Sequence, residues 1–504
     1  MRTPSIYSQD DPLSEALKPP ESETESERRA RLEQEAEAKR VSEQIDEELR
    51  LEREDMKKKK GDVKLLLLGQ AESGKSTLQR QFQLMYKPHT LEQERASWRT
   101  VIYFNVVRSI KHILSTLESW DDYIDDSDMA FDSPTSKYMG ASRSGTSSPV
   151  LMPLPPEDNS AHSRSASPFQ GTAPATASRS TIASLRRRLS PLISADTALA
   201  DRLSGGITVS GSGKGGVFVR SGWQARTIEN ALGRRRVRNS SEYGVKKAEE
   251  IQDALVQDVS HMLDASKDDI RELWAHPTVK GLIAKRRLKL DEWSEFFLRH
   301  ITRVAASDYI PSTDDILHAR IQTMGVAEHV FDVNIHGKSV SWHLFDVGGA
   351  RGQRHTWVPY FDDANAIIFV APVSAFDQYL EEDPRTNRID DSLQLFTQIC
   401  SSPLLKNAHL VLFLNKTDLL RTKLDNGLKV KKYITSFGER NNDYETVVQY
   451  FRAHFLQVHR RNNENRRVLY THFTSVVDTK ATQRIIGNVR DSIFRGYLQS
   501  AALV

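Results

Sequence analysis

The sequence predicts an α/β fold: a mostly parallel sheet with a mostly helical domain inserted after its first strand and helix. Three observations carry this reading. An apolar run at 63–68 leads through a glycine-framed loop into a helix. Apolar runs at 366–371, 409–415 and 468–473 alternate with helical segments, as in strands buried on both faces. Between that first strand and these runs lie 91–119 and 247–305, whose apolar residues recur at helical spacing. The sheet therefore begins at 63, is interrupted, and resumes near 320.

Taken in order, residues 1–21 carry Pro4, Pro12, Pro19 and Pro20 and read as disordered. Residues 22–60 read as a long charged helix. Its apolar residues (Leu32, Val41, Ile45, Leu49, Leu51) are too sparse for coiled-coil heptads, so a solvated helix with one narrow docking face is expected. Residues 61–88 are the first part of the sheet domain, 89–312 the helical domain, and 313–504 the rest of the sheet domain. Within the helical domain, about 121–246 is rich in Ser, Pro, Gly, Arg and Ala. It lacks the apolar density that offsets chain entropy and is expected to be a disordered insertion. Runs 330–336 and 340–346 flank Gly337-Lys338, a hairpin signal. Ile485, Ile486, Val489, Ile493 and Tyr497 predict a C-terminal helix.

Composition narrows the classes. A chain of 504 residues exceeds one ordinary core, and 38% hydrophobic with 27% charged residues implies extensive disorder. The net charge of +3 gives no global electrostatic bias. The single cysteine, Cys400, excludes an internal disulfide framework, fits a reducing, cytoplasmic setting, and reads as a small core residue. No run of about 18 apolar residues could span a membrane. The N-terminal residues show no signal-peptide core, and Arg2 stands where N-myristoylation needs glycine. Peripheral membrane contact is therefore expected to be electrostatic or partner-mediated, without obvious lipidation.

The loop Gly69-Gln70-Ala71-Glu72-Ser73-Gly74-Lys75-Ser76-Thr77 carries the most specific chemistry. Its backbone N–H groups and the following helix N-terminus suit phosphate. Lys75 can reach the β- and γ-phosphates and Ser76 can ligate Mg²⁺. Asp346-Val347-Gly348-Gly349 ends a strand. A carboxylate there can hold Mg²⁺ through water, and Gly349 lets a backbone N–H approach a γ-phosphate; a plain strand-ending turn is the alternative. Asn415-Lys416-Thr417-Asp418 follows another strand. The Asp418 carboxylate can accept two hydrogen bonds from guanine, a donor pair adenine lacks on that edge. Val476, after a further strand, can offer a backbone N–H to the guanine carbonyl. Arg320 and Thr323, taken alone, read as surface residues.

These segments together resemble heterotrimeric G-protein alpha subunits. The resemblance rests on 69–77, 314–325, 345–349, 413–419 and 470–480, with 308–312 and 366–370, and covers roughly 30–120 and 247–504. It implies a Ras-like P-loop GTPase domain with an inserted all-helical domain, here enlarged by the low-complexity stretch. It implies a GTP/GDP signalling switch downstream of G-protein-coupled receptors, with Mg²⁺ as cofactor. Gly69, Glu72, Ser73, Gly74, Lys75, Ser76, Thr77, Leu317, Arg320, Thr323, Gly349, Asn415, Lys416, Asp418 and Val476 would hold nucleotide. Ser76, Thr323 and (through water) Asp346 would hold the metal. Arg320 would be an arginine finger in cis, oriented by Glu72, with Lys75 on the phosphates. The charged helix and the segment around Trp357 would dock a βγ dimer, the C-terminal helix a receptor, and an effector is left unnamed. The setting would be cytoplasmic, at the inner face of the plasma membrane.

Two departures bear on one step. The family places glutamine after Gly349 to orient the attacking water, whereas this chain has Ala350. Ala71 stands where glycine leaves room beside the γ-phosphate. Both act on hydrolysis and neither removes a binding residue, so slow GTPase activity is expected. Gln353 is a substitute candidate. Trp293 and Val477 replace polar residues near the pocket. A non-cycling GTP-binding scaffold is the alternative function, and a P-loop ATPase or kinase is disfavoured by residues 415–418. Basic runs at 186–188 and 234–238 read as solvated linker, an anionic-membrane patch, or a phosphorylation context for Ser190. Without interleaved aromatics they do not point to nucleic acid. The glycine-rich 211–216 reads as linker.

Overall fold

A computed structural model describes parts of 24–50, then 62–129, 174–204, 218–219, Trp223, 254–335, 338–463 and 467–500. The chain divides into two compact units, one comprising 1–62 with the hairpin tip 335–341 and the other the remainder. In the first unit, the described residues from 25 to 50 are helical and exposed, as expected of the charged helix. The N-terminal 1–21 and the glycine-rich 211–216 lie outside the described residues, as does the basic run 234–238.

The second unit is built on a six-stranded sheet. Its strands are β1 (Val63–Leu68), β4 (Val326–Ile335), β5 (Lys338–Val347), β6 (Ala366–Pro372), β7 (His409–Asn415) and β8 (Leu469–Thr474), in the order β4-β5-β1-β6-β7-β8. The pairs β1/β5, β1/β6, β6/β7 and β7/β8 are all parallel. β6 is buried at every position and β7 at all but His409, which is why both read as continuous apolar runs. Lys338, expected in the turn of the β4–β5 hairpin, belongs to β5; residues 336–337 are outside the described set.

The parallel register aligns the carboxyl ends of five strands. Leu67 lies opposite Asp346, Leu68 opposite Phe369, Pro372 opposite Asn415, and Asn415 opposite Thr474. From β1 the chain reaches β4 and β5 on one side and then crosses to β6 on the other. That reversal is the topological switch point at which open α/β sheets bind ligands. Helices α1 (Lys75–Tyr86), α10 (Arg388–Ser401), α11 (Thr417–Asp425), α12 (Tyr444–Asn462) and α13 (Thr479–Ser500) complete this part. On α13, Ile486, Val489 and Ile493 are buried, as their spacing predicts.

The inserted domain has its own core. Helix α3 (Trp98–Met129) is buried on every side from Val101 to Val107, so it forms the domain's axis. It packs on α4 (Pro174–Ser204), α5 (Ala254–Ala275) and α7 (Glu292–Arg299). Short helices α2 (Pro88–Glu94), α6 (Pro277–Ala284), α8 (Ile301–Val304) and α9 (Thr313–His318) close the ends.

Helix α4 corrects the expectation of disorder across 121–246. Ile182, Leu185, Leu189, Leu192, Leu199 and Leu203 recur at helical spacing and are all buried in the helical-domain core. Arg187, Arg188 and Ser190 lie on the exposed face. The stripe is regular, but Ser, Arg and Pro191 between its leucines dilute the composition that an average reads. The basic run 186–188 is therefore helix surface, where Arg188 meets Asp269 and Glu272. Asp196 is buried and neutralised by Arg108 at 3.1 Å and Lys111 at 2.6 Å, both from α3. Helix α3 also runs to Met129, past the expected start of the insertion. Among the described residues no helix is long and apolar enough to cross a membrane.

Candidate nucleotide site

Five strand ends and the first helix open onto a cleft of about 1950 Å³ that also touches α7 and the segment before β3 (Gln322–Thr323). The loop from Gly69 to Gly74 forms its floor. Gly74 has φ 104° and no Cβ, and a Cβ there would lie 2.3 Å from Asn415 Nδ2. Gly74 also caps α1 without any side-chain acceptor, so the first N–H groups of α1 are left for an anion. Lys75 is buried, and its Nζ donates to the carbonyls of Gly69 at 2.9 Å and Gln70 at 2.6 Å. Burial pushes its ammonium down to about 8 against the pull of Asp346.

Beside the lysine, three oxygens converge. Ser76 Oγ lies 2.7 Å from Asp346 Oδ2 and 2.9 Å from Thr323 Oγ1, and Thr323 Oγ1 lies 3.0 Å from the same Oδ2. Asp346 Oδ1 is buried and meets no donor among the described residues. One carboxylate with two hydroxyls beside a phosphate cradle suits a hard divalent cation that keeps its waters. The structure brings together Ser76, Thr323 and Asp346, the three residues expected from sequence to hold the metal.

Arg320 is held more firmly than the sequence suggests. Its guanidinium donates to Glu72 and, at 2.8 Å, to Asp291, and lies 5.7 Å from the Trp293 ring. Asn105 brackets its backbone, accepting from the Arg320 N–H at 2.8 Å and donating to its carbonyl at 3.1 Å. Glu72 also takes Arg388 at 3.0 Å, and Arg388 donates in turn to the Ala71 carbonyl. Burial pushes the Glu72 carboxyl up, but Arg320, Arg388 and Lys416 outweigh it and hold it at about 2. Burial raises Asp291 despite Arg320.

On the far side, Asn415 Nδ2 donates to the Ser73 carbonyl at 2.7 Å, while its Oδ1 accepts from Thr474 Oγ1 and the Val476 N–H. The Val476 N–H, read from sequence as a base donor, is thus occupied by Asn415; it ties loop to loop. Lys416 sits at φ 64° and reaches Glu292 at 3.4 Å. Asp418 is exposed in the first turn of α11 and lines the cleft. Leu317 is buried, and its carbonyl accepts from Thr77 Oγ1 at 3.5 Å.

Gly349 packs on the phosphate loop so closely that a Cβ would lie 2.3 Å from Ala71 N. Ala71 and Ala350 therefore flank one contact. The segment after Ala350 is anchored to α10: Asp391 accepts from Arg351 Nε at 3.0 Å, from Arg354 at 2.5 Å and from Gln70 at 2.5 Å. Trp357 is buried and donates its indole N–H to the Gly348 carbonyl at 2.9 Å. Within the segment expected to dock a βγ dimer, Trp357 itself turns inward, and Val358 and Tyr360 are exposed apolar residues. Gln353 Oε1 is buried beside Gly348 without a donor among the described residues.

A family model for the G-protein alpha subunit matches residues 39–493. The chain belongs to the G-protein alpha-subunit family. The family's members are signalling subunits that bind GTP and GDP, hydrolyse GTP, and partner with βγ dimers and receptors. The chain is 33% identical to the guanine nucleotide-binding protein alpha-4 subunit of Mycosarcoma maydis over 98% of its length and 96% of that protein's. It is 33% identical to the alpha-2 subunit of Caenorhabditis briggsae over 49% of this chain and 69% of that one. With the G(o) subunit alpha of Geodia cydonium it shares 32% over 46% of this chain, spanning 63% of that relative.

Asp291, Asn105, Arg388 and Asp391 are the site residues that sequence reasoning missed. None sits in a contiguous motif. Only Trp293, two residues from Asp291, signalled that α7 borders the cleft.

Proposed function

We propose that this family member is a GTP/GDP switch whose GTP-bound state is long-lived because hydrolysis is impaired while binding is intact. The observation that carries this is the pairing of Ala71 with Ala350 against an otherwise complete set of binding groups. The α1 N-terminus and Lys75 hold the phosphates. Ser76 and Thr323 would hold Mg²⁺, with Asp346 reaching it through water, and the ion would supply charge neutralisation to the β- and γ-phosphates. Asp418 and the Asn415 scaffold select guanine, and Gly349 senses the γ-phosphate. Arg320, oriented by Glu72, offsets charge developing in hydrolysis, a contribution known in this class to be about 10³–10⁵ in rate. No side chain at 350 can orient water, and loss of such orientation costs about 10².

The exposed charged residues described between 25 and 50, and separately the exposed Val358 and Tyr360, each support docking of a βγ dimer. The outer surface of α13 supports receptor coupling, and the cytoplasmic face of the plasma membrane is the setting such a role requires. A second reading, the non-cycling scaffold, is favoured by one feature: Arg320 is already engaged by two carboxylates.

Guanine selectivity tests the binding half of the proposal. Hydrogen bonds to a charged group are worth about 1.5–3 kcal/mol, so Asp418→Ala is expected to weaken GTPγS binding at least tenfold while leaving ATPγS binding weak. Equal affinity of the wild-type protein for both nucleotides contradicts the proposal.

A further inference from the structure

Three described residues of the stretch between α4 and α5, Phe218, Val219 and Trp223, lie against the segment that bears Arg320 and Thr323 or one step from it. Strand β2 (Phe218–Val219) pairs in parallel with β3: Phe218 faces Gln322 and Val219 faces Thr323. The Met324 N–H donates to the Val219 carbonyl at 3.0 Å. In a parallel ladder the residue whose carbonyl faces a neighbour turns its N–H to the same neighbour. Val219 is only 3% exposed, so this is a buried seam.

A second contact grips the other end of the segment. Trp223 is buried and meets Trp98 edge-on, with centroids 5.0 Å apart. The Arg80 guanidinium stacks over Trp98 at 4.4 Å and donates to the carbonyls of Ile316 at 2.7 Å and Ala319 at 2.9 Å. Residues 316–324 are thus held directly at 322–324 and through Trp98 and Arg80 at 316–319.

We propose that Phe218, Val219 and Trp223 form a positioning element in cis: a strap in which β2 adds a strand to the Thr323 segment and keeps its hydroxyl next to Ser76 and Asp346. The occupant of this edge is the chain's own insertion, recognised through main-chain bonds, as when a peptide augments a sheet edge. β3 has only two residues, so without β2 its backbone groups exchange with water and Thr323 leaves the cluster. This inference rests on the nucleotide reading above, in which Thr323 helps hold the Mg²⁺ that neutralises β- and γ-phosphate charge; GDP lacks the γ-phosphate, so its retention depends less on Thr323.

The test is nucleotide release from the full-length protein, with fluorescent GTPγS and GDP compared at low and at saturating Mg²⁺. Val219→Pro removes a ladder N–H and cannot sit within a strand. The loss of that one ladder bond is expected to speed GTPγS release about fivefold at low Mg²⁺, with the gap closing as Mg²⁺ saturates. GDP release is expected to stay at the wild-type rate, and Val219→Ile is expected to behave as wild type. Trp223→Ala, which leaves the β2 backbone intact, is expected to move GTPγS release in the same direction. Wild-type GTPγS release in both Val219→Pro and Trp223→Ala overturns the strap. Equal acceleration of GTPγS and GDP also overturns it, since that marks a merely structural role. A wild-type protein that holds no GTPγS overturns the nucleotide reading and the strap together, which distinguishes the two failures.

Discussion

The contact between Arg320 and Asp291 makes a graded prediction about what limits turnover. Asp291→Asn removes the charge that draws the guanidinium toward α7 and leaves Glu72 as its one carboxylate partner among the described residues. The pair is 2.8 Å apart, with Arg320 10% and Asp291 39% exposed. A fully buried pair costs about 3–5 kcal/mol to break, but an exposed one is worth about 0.2–1 kcal/mol. Asp291 reaches solvent, and its burial already favours the neutral acid, so the restraint is near 1 kcal/mol on the exposed-pair scale. Releasing it can speed hydrolysis about fivefold at most. The missing water-orienting group costs about 10², so the substitution cannot restore ordinary turnover. Single-turnover hydrolysis of preloaded GTP measures this directly. An acceleration of about 10² or more would refute the reasoning, because Asp291 would then be the brake that Ala350 is held to be.

Three further outcomes are expected. Leu189→Ala should destabilise the protein by about 2–5 kcal/mol, since Leu189 is fully buried in the helical-domain core; exposed Arg187→Ala is the control in thermal unfolding, and equal midpoints would contradict the placement of α4. Asp391→Ala should cost about 3 kcal/mol and release the segment after Ala350, because it strands Arg354 without its carboxylate; unchanged stability together with unchanged Trp357 fluorescence would count against the anchor. The Cys400 thiol, pushed up to about 12 by burial against a smaller opposing pull from Arg467, should resist a thiol reagent at neutral pH in the native protein and react after unfolding.

The sequence was most legible where chemistry is contiguous. The phosphate loop, Asp346 and residues 415–418 are each fixed by neighbours in the chain, and parallel strands align them. Strands such as β6 and β7 were legible because burial on both faces leaves no polar positions to confuse the pattern. Helix α4 was hidden although Leu185, Leu189 and Leu192 mark a helical stripe, because the surrounding Ser and Arg dominate the average. Strand β2 has two residues and no periodicity of its own; only its partner defines it. The Asp291–Arg320 pair joins residues 29 positions apart, and Arg388 and Asp391 reach the loop from α10. Such contacts follow from packing and leave no local pattern. The inward turn of Trp357 likewise depends on a carbonyl acceptor, Gly348, that a sequence does not orient.

The measurement that tests the central claim most directly is single-turnover hydrolysis of GTP preloaded on the wild-type protein and on the Ala71→Gly/Ala350→Gln double substitution, with GTPγS affinity measured on both. The account expects equal affinity and hydrolysis about 10² faster in the double substitution. Equal hydrolysis rates in the two proteins would contradict it, and would make Gln353, buried beside Gly348, the group that orients water.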